Sequence, residues 1–174
     1  MYYTMTTIGF FDSMGLSAVD YIVNQTELTT LFLSNEYIQK VVTMKKEGLA
    51  KTLTSVVTFD EPTKAHVESA ASVGVKVYSF KFIIEQGEST NGVAAFSKCT
   101  ETDCPIFSYT SGTTGDSKGV KLTHRNLFQS TQTFCRHVDL TNQDHMLSYL
   151  PYPHSFEQVL TCFSILWGTR IGYY

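Results

Sequence analysis

The chain has 174 residues, of which 43% are apolar (AVILMFWYC) and 17% charged, with a net charge of −3. That length fits one domain or part of a larger one, and that apolar share can build a core, so wholesale disorder is excluded. A pI near 5.9 argues against a nucleic-acid binder, which shows a clustered basic surface; collagen, coiled-coil and low-complexity classes fail on composition.

Leu16, Val19, Ile22 and Val23 recur at helical spacing. Residues 29–34 (TTLFLS) predict a buried strand. Ile38, Val41, Val42 and Leu49 then mark a second helix, with Lys40, Lys45 and Lys46 for its wet face. Residues 55–60 read as a strand, and Pro62 suits the first turn of the helix after it. Gly74 sits past that helix, where a left-handed cap is common. Residues 76–80 predict a third strand, and 86–104 a polar loop region crossing the surface. Residues 105–110 predict a strand entering a Gly/Thr/Ser loop at 111–119, with a return strand at 119–123. The next helix carries Leu127, Phe128, Thr131, Phe134, Cys135 and Val138 on its inner face. Residues 144–150 lead a strand into Pro151. Phe156, Val159, Leu160, Phe163 and Trp167 mark the last helix, with Phe156 and Trp167 expected in the core. Residues 171–174 read as a buried strand that the chain end cuts off, so an incomplete domain is expected. Strands alternating with helices imply an α/β fold with a largely parallel sheet.

Four cysteines stand at 99, 104, 135 and 162, none spaced as C-x-x-C. They read as reduced thiols of a cytosolic protein. Cys135 and His137 form the one close Cys/His pair, too few ligands for a tetrahedral zinc site, so no metal site is expected. The most apolar stretch, 159–167, is too short to span a bilayer, which takes ~20 apolar residues. The first residues show no secretory signal. Peripheral membrane contact stays open.

The strongest chemical signal is Tyr109-Thr-Ser-Gly-Thr-Thr-Gly-Asp-Ser-Lys-Gly119. It offers backbone N–H groups freed by Gly112, Gly115 and Gly119, the hydroxyls of Thr110, Ser111, Thr113 and Thr114, and the Lys118 ammonium. A polyphosphate needs such a supply of short donors and one mobile positive charge. The loop is not a Walker A sequence: serine replaces its second glycine and Gly119 replaces the magnesium-binding Ser/Thr, which disfavours P-loop kinases and GTPases.

This stretch resembles the phosphate-loop signature of the adenylate-forming (AMP-binding) superfamily, usually YTSGTTGxPKG, without a gap from Tyr109 to Gly119. It departs at Ser117, where the family usually has proline. The following VKLTHRN, 120–126, is similar to the family's next segment. Tyr149-Leu-Pro-Tyr-Pro-His-Ser-Phe-Glu157 resembles the YLPLAHxFE segment of long-chain acyl-CoA synthetases, as do GTRIGYY, 168–174, and DSMGLSAVDYIVN, 12–24, other parts of that branch.

The resemblance implies part of the large N-terminal α/β domain, over residues 1–174, with the C-terminal domain absent. It implies ATP-dependent activation of a long-chain fatty acid to an acyl-adenylate with release of pyrophosphate, then thioester formation with coenzyme A. By resemblance, Thr110, Ser111, Gly112, Thr113, Thr114, Gly115 and Lys118 hold the ATP phosphates. His154 is the catalytic candidate, on the carboxylate or acyl side of the pocket; its structural alternative is a helix cap. Glu157 can anchor that helix start through the dipole. Mg2+ would be bound largely outside these residues. ATP, the fatty acid and coenzyme A are the implied partners, with no nucleic acid. The implied place is the cytoplasm, or the cytosolic face of a membrane such as the endoplasmic reticulum. The later family motifs do not occur, so activity of these residues alone is not expected. A non-catalytic paralogue that at most binds nucleotide, and a ligase for a different carboxylate, are the alternatives.

Proline fixes φ and serine does not, so Ser117 leaves the loop less restrained before binding. Ser117→Pro should tighten ATP binding slightly, by about twofold to fivefold. A nucleotide titration of both forms checks this; unchanged or weaker affinity in the variant contradicts it.

Overall fold

Runs rich in Val, Ile and Thr form strands, and the 3.6-residue repeats between them form helices, over the residues that the computed structural model describes: 4–90, 97–110 and 117–173. In chain order these are β1 (Thr7–Ile8), α1 (Leu16–Gln25), β2 (Thr30–Leu33), α2 (Ile38–Lys46), β3 (Ser55–Thr58), α3 (Lys64–Ala71), β4 (Lys76–Ser79), α4 (Phe80–Ser89), β5 (Ile106–Thr110), β6 (Lys118–Leu122), α5 (His124–His137), β7 (His145–Ser148), α6 (Ser155–Trp167) and β8 (Arg170–Tyr173). A short 3-10 turn, Asn35–Tyr37, leads into α2. They group into two compact units: Met14–Ala94, and Met1–Ser13 with Ala95–Tyr174. The expected α/β class holds, with parallel pairing predominant. In place of one sheet there are three small ones, and β5–β6 is antiparallel.

In the unit formed by the two chain ends, β5 lies between β1 and β6. β1 joins it in parallel, Thr7 opposite Ile106. β7 and β8 pair in parallel on either side of α6 in the chain. α5 begins with a capping box: the Thr123 hydroxyl accepts from the Asn126 N–H, and Asn126 Oδ1 accepts from the Thr123 N–H, both at 3.1 Å. α5 packs on α6 through aromatic rings. Phe134 meets Phe156 and Phe163 edge-on at 6.0 and 5.3 Å, and Phe163 stacks on Trp167 at 5.5 Å. Phe163 is fully buried. Several expectations are corrected here. Phe128 turns outward and is exposed, and Phe156 and Trp167 keep one edge in solvent. β8 is mostly exposed, being paired on one side only.

In the other unit β2, β3 and β4 run parallel, in that order. α2 packs against α1 and α3. Ile22, Val23, Ile38, Val42, Leu53, Val56 and Val75 are each at most 1% exposed, and each such side chain is worth ~1.5–3 kcal/mol of burial. Gly74 takes φ +76° after α3, as expected. Pro62 stands one residue before the N-cap, Thr63, rather than within the first turn. Phe32 of β2 faces solvent, contrary to the buried strand expected, and contacts Phe80 edge-on at 6.3 Å. α4 occupies residues expected as strand end and loop. Its Ser79 cap accepts from the Phe82 N–H at 3.1 Å. The run Phe-Lys-Phe-Ile-Ile hid it, because it lacks a polar face.

The turn after α2 uses a charge where the sequence suggested a wet face. The Lys45 ammonium donates to the carbonyls of Ala50, Lys51 and Leu53 at 3.2, 3.3 and 3.0 Å, spending all three donors. Ala50 takes φ +46°, a costly conformation for an L-residue. Its N–H donates to Asp20 Oδ1 at 2.6 Å, which holds it there. Lys45→Met should therefore destabilise the unit by about 1–3 kcal/mol, read as a fall in the urea midpoint at unchanged slope.

Candidate active site

β5 and β6 carry the two ends of the Gly/Thr/Ser loop. Thr110 faces Lys118 across the antiparallel pair, and Tyr109 faces Gly119. A Cβ on Gly119 would sit 3.0 Å from Tyr109 Cζ and 3.2 Å from its hydroxyl. The glycine thus lets the buried Tyr109 ring lie over β6, which pins the register of the last two pairs. Thr110 and Lys118 are both exposed, so a hydroxyl and an ammonium stand at the same sheet end. Among the described residues no carboxylate pairs with Lys118. Ser111, Gly112, Thr113, Thr114 and Gly115 lie outside the described residues.

His154 is the N-cap of α6. Its Nδ1 accepts from the Phe156 N–H at 3.2 Å. An acceptor Nδ1 leaves the proton of the neutral ring on Nε2. The structural alternative for His154 is therefore present, and it leaves an Nε2–H donor on an exposed ring.

Several contacts hold the 149–154 turn that carries this ring. Ser108 of β5 donates to the Pro153 carbonyl at 3.3 Å. Pro153 Cβ and Cγ would lie 2.8 Å from a Cβ on Gly9. Gln158 donates to the Tyr152 carbonyl at 3.1 Å. The Ser148 hydroxyl donates to Glu157 Oε1 at 2.5 Å. Glu157 is 2% exposed, so it anchors the helix start from inside. Sequence reasoning missed Gly9 and Ser108; neither sits in a local pattern that signals a partner.

Between α5 and α6 runs an open groove of about 670 Å3, lined by Leu122, Leu127, Phe134, Phe156 and Val159 and by polar side chains of α5. The size falls within the ~300–1,000 Å3 usual for ligand sites. Burial pushes the Cys162 thiol and the Tyr152 phenol up, so Cys162 is no ready nucleophile at neutral pH. The backbone N–H and hydroxyl of Thr141 hold the Asp144 carboxyl below its usual range and fix the turn before β7. Among the described residues no three His, Cys, Asp or Glu side chains gather to hold a metal, and no helix is long and apolar enough to cross a membrane.

A strand pair that carries a hydroxyl and an ammonium at the ends of a Gly/Ser/Thr-rich segment stands in an α/β protein. Residues 1–174 match the AMP-binding enzyme family, and the chain belongs to it. Curated relatives are fatty acyl-CoA synthetase B of Dictyostelium discoideum, 31% identical over 95% of this chain and 24% of that protein, long-chain-fatty-acid–CoA ligase 1 of Homo sapiens, 30% over 99% and 25%, and long chain acyl-CoA synthetase 1 of Arabidopsis thaliana, 32% over 99% and 26%. The chain thus spans about a quarter of the length of these relatives. Solved structures share the fold: ATP-bound MatB of Rhodopseudomonas palustris, TM-score 0.65, 18% identical over 97% of this chain and 30% of that one, and the AMP-bound A-PCP didomain of carboxylic acid reductase of Segniliparus rugosus, TM-score 0.73, 18% identical over 97% and 25%.

Gly9 is the point where this arrangement is least forgiving. Gly9→Ala should force Pro153 away from residue 9 and destabilise its unit by about 1–3 kcal/mol, while Gly87→Ala, inside α4 with no atom within 4 Å of its added Cβ, should not. Parallel thermal melts read the difference.

Proposed function

We propose that this chain supplies the phosphate-binding and acyl-facing parts of an ATP-dependent long-chain fatty acid–CoA ligase. The observation that carries this reading is the Thr110–Lys118 pair closing the loop whose sequence is the family signature. The ligase joins the acid to AMP with release of pyrophosphate, and coenzyme A then displaces AMP. In the first step charge builds on phosphate oxygens. Donors placed beforehand stabilise that charge without reorganising. Lys118 and Thr110, with Ser111, Gly112, Thr113, Thr114 and Gly115, serve as those donors. The exposed ammonium, paired with no carboxylate among the described residues, fits this work. Magnesium would be held largely by residues outside this chain.

His154 is proposed as the donor to the substrate carboxylate, through Nε2–H. The cap on Nδ1 supports the assignment, since it fixes which nitrogen carries the proton. The groove beginning at Ser155 and Phe156, beside this ring, suits an alkyl chain on its α6 wall. A long-chain acid partitions into lipid, which supports a place in the cytoplasm at a membrane face.

Lys118→Ala should weaken binding of ATP to this chain by about tenfold to a hundredfold, the range for a hydrogen bond to a charged group. Lys121→Ala is the control: that side chain, on the same strand as Lys118, lies 5.8 Å over the Phe107 ring of β5 and its loss should leave affinity unchanged. Equal losses at both lysines, or no ATP binding at all, would overturn the reading.

A further inference from the structure

The groove between α5 and α6 has a mixed lining, with a polar stripe along α5. Phe156 and Val159 of α6 and Leu127 and Phe134 of α5 supply its apolar part, and Ser155 stands at the start of α6. On the α5 side Asn126, Ser130, Thr133 and His137 follow one another at helical spacing along about 16 Å of helix, at ~1.5 Å per residue. Their chemistry is mixed. Asn126 has its oxygen engaged by Thr123, so it offers amide N–H groups. Ser130 and Thr133 can donate or accept. His137 Nδ1 lies 2.8 Å from the Thr133 carbonyl, which only accepts, so Nδ1 carries the hydrogen and the neutral ring's Nε2 presents a lone pair.

A saturated chain laid in this groove would take water from the α5 wall and return no hydrogen bond. Such unpaired polar groups are a direct cost. A chain with an oxygen along its length would make good that loss while keeping its apolar edge on Phe156 and Val159. A wall built of hydrogen-bonding groups rejects an analogue that lacks the matching group more strongly than an apolar wall distinguishes chain lengths. We propose that the groove selects an acyl chain bearing a hydrogen-bonding oxygen, a hydroxyl or an oxo group, over a saturated chain of equal length. The inference rests on the fatty-acyl reading given above and narrows it.

The test is a titration of the isotopically labelled full chain with hexadecanoic acid and with its hydroxylated counterpart, followed by amide shifts along α5 and α6. The hydroxylated acid should bind about fivefold to tenfold more tightly. Thr133→Val and Ser130→Ala, both at exposed positions, should bring the two acids to near parity. Equal or tighter binding of the saturated acid at α5 and α6 overturns the selectivity and leaves the fatty-acyl reading standing. A preference that survives both substitutions also overturns it, since the stripe would not be reading the oxygen. If neither acid shifts α5 or α6, the fatty-acyl reading falls and the selectivity with it.

Discussion

Pro153 is the residue on which the arrangement of the site turns. Its ring fills the space that Gly9 leaves open, and its carbonyl takes the Ser108 hydroxyl. Ser108 lies on β5, two residues before Thr110, and His154 follows Pro153 directly. The strand that carries Thr110 and the turn that carries the imidazole are therefore tied together through Pro153. Side chains held by packing and hydrogen bonds keep their geometry better than those on free loops. The short strand β1, tied to Pro105 by the backbone and hydroxyl of Thr7, ends directly before the glycine that lies under that ring.

The same economy shows at the loop's base. Tyr109 and Gly119 are signature residues, yet the structure gives each a packing reason. The ring needs a partner without a side chain, and the glycine needs no φ above zero to explain it. Thr110 and Lys118 are then the first pair free of that constraint, and both are exposed. Tyr109 is buried, while Gly119, Thr110 and Lys118 are exposed, one step apart on the same strands.

This division explains what was legible in the sequence. The β5–loop–β6 segment and the helix after it announce themselves by local means: β-branched residues, glycines, and a Thr123/Asn126 cap three residues apart. The apolar face of α5 was legible by its period, but the polar stripe of Asn126, Ser130, Thr133 and His137 was not, because exposed polar residues at that spacing read as an ordinary wet face. Gly9 and Ser108 were not, because their partner Pro153 is far along the chain and packing between distant residues leaves no periodic trace. α4 escaped because its apolar run mimics a strand, although Ser79, three residues before Phe82, was a start signal. For His154 the two readings, cap and chemistry, are compatible once the ring's nitrogens are counted separately.

α6 also breaks rules that the rest of the described structure keeps. Four buried side-chain oxygens lack a partner among the described residues, and three of them, on Glu157, Gln158 and Thr161, lie in its first two turns. Burying a carboxylate with a single hydroxyl donor is a net cost that the helix dipole offsets only in part. A helix selected for stability alone would carry apolar side chains there. Such departures concentrate where a protein's work is done and are sustained by packing elsewhere. The aromatic contacts of Phe134, Phe163 and Trp167 supply that packing from the following turns. The start of α6, with His154 as its cap, is thus the part of this unit shaped by something other than its own stability.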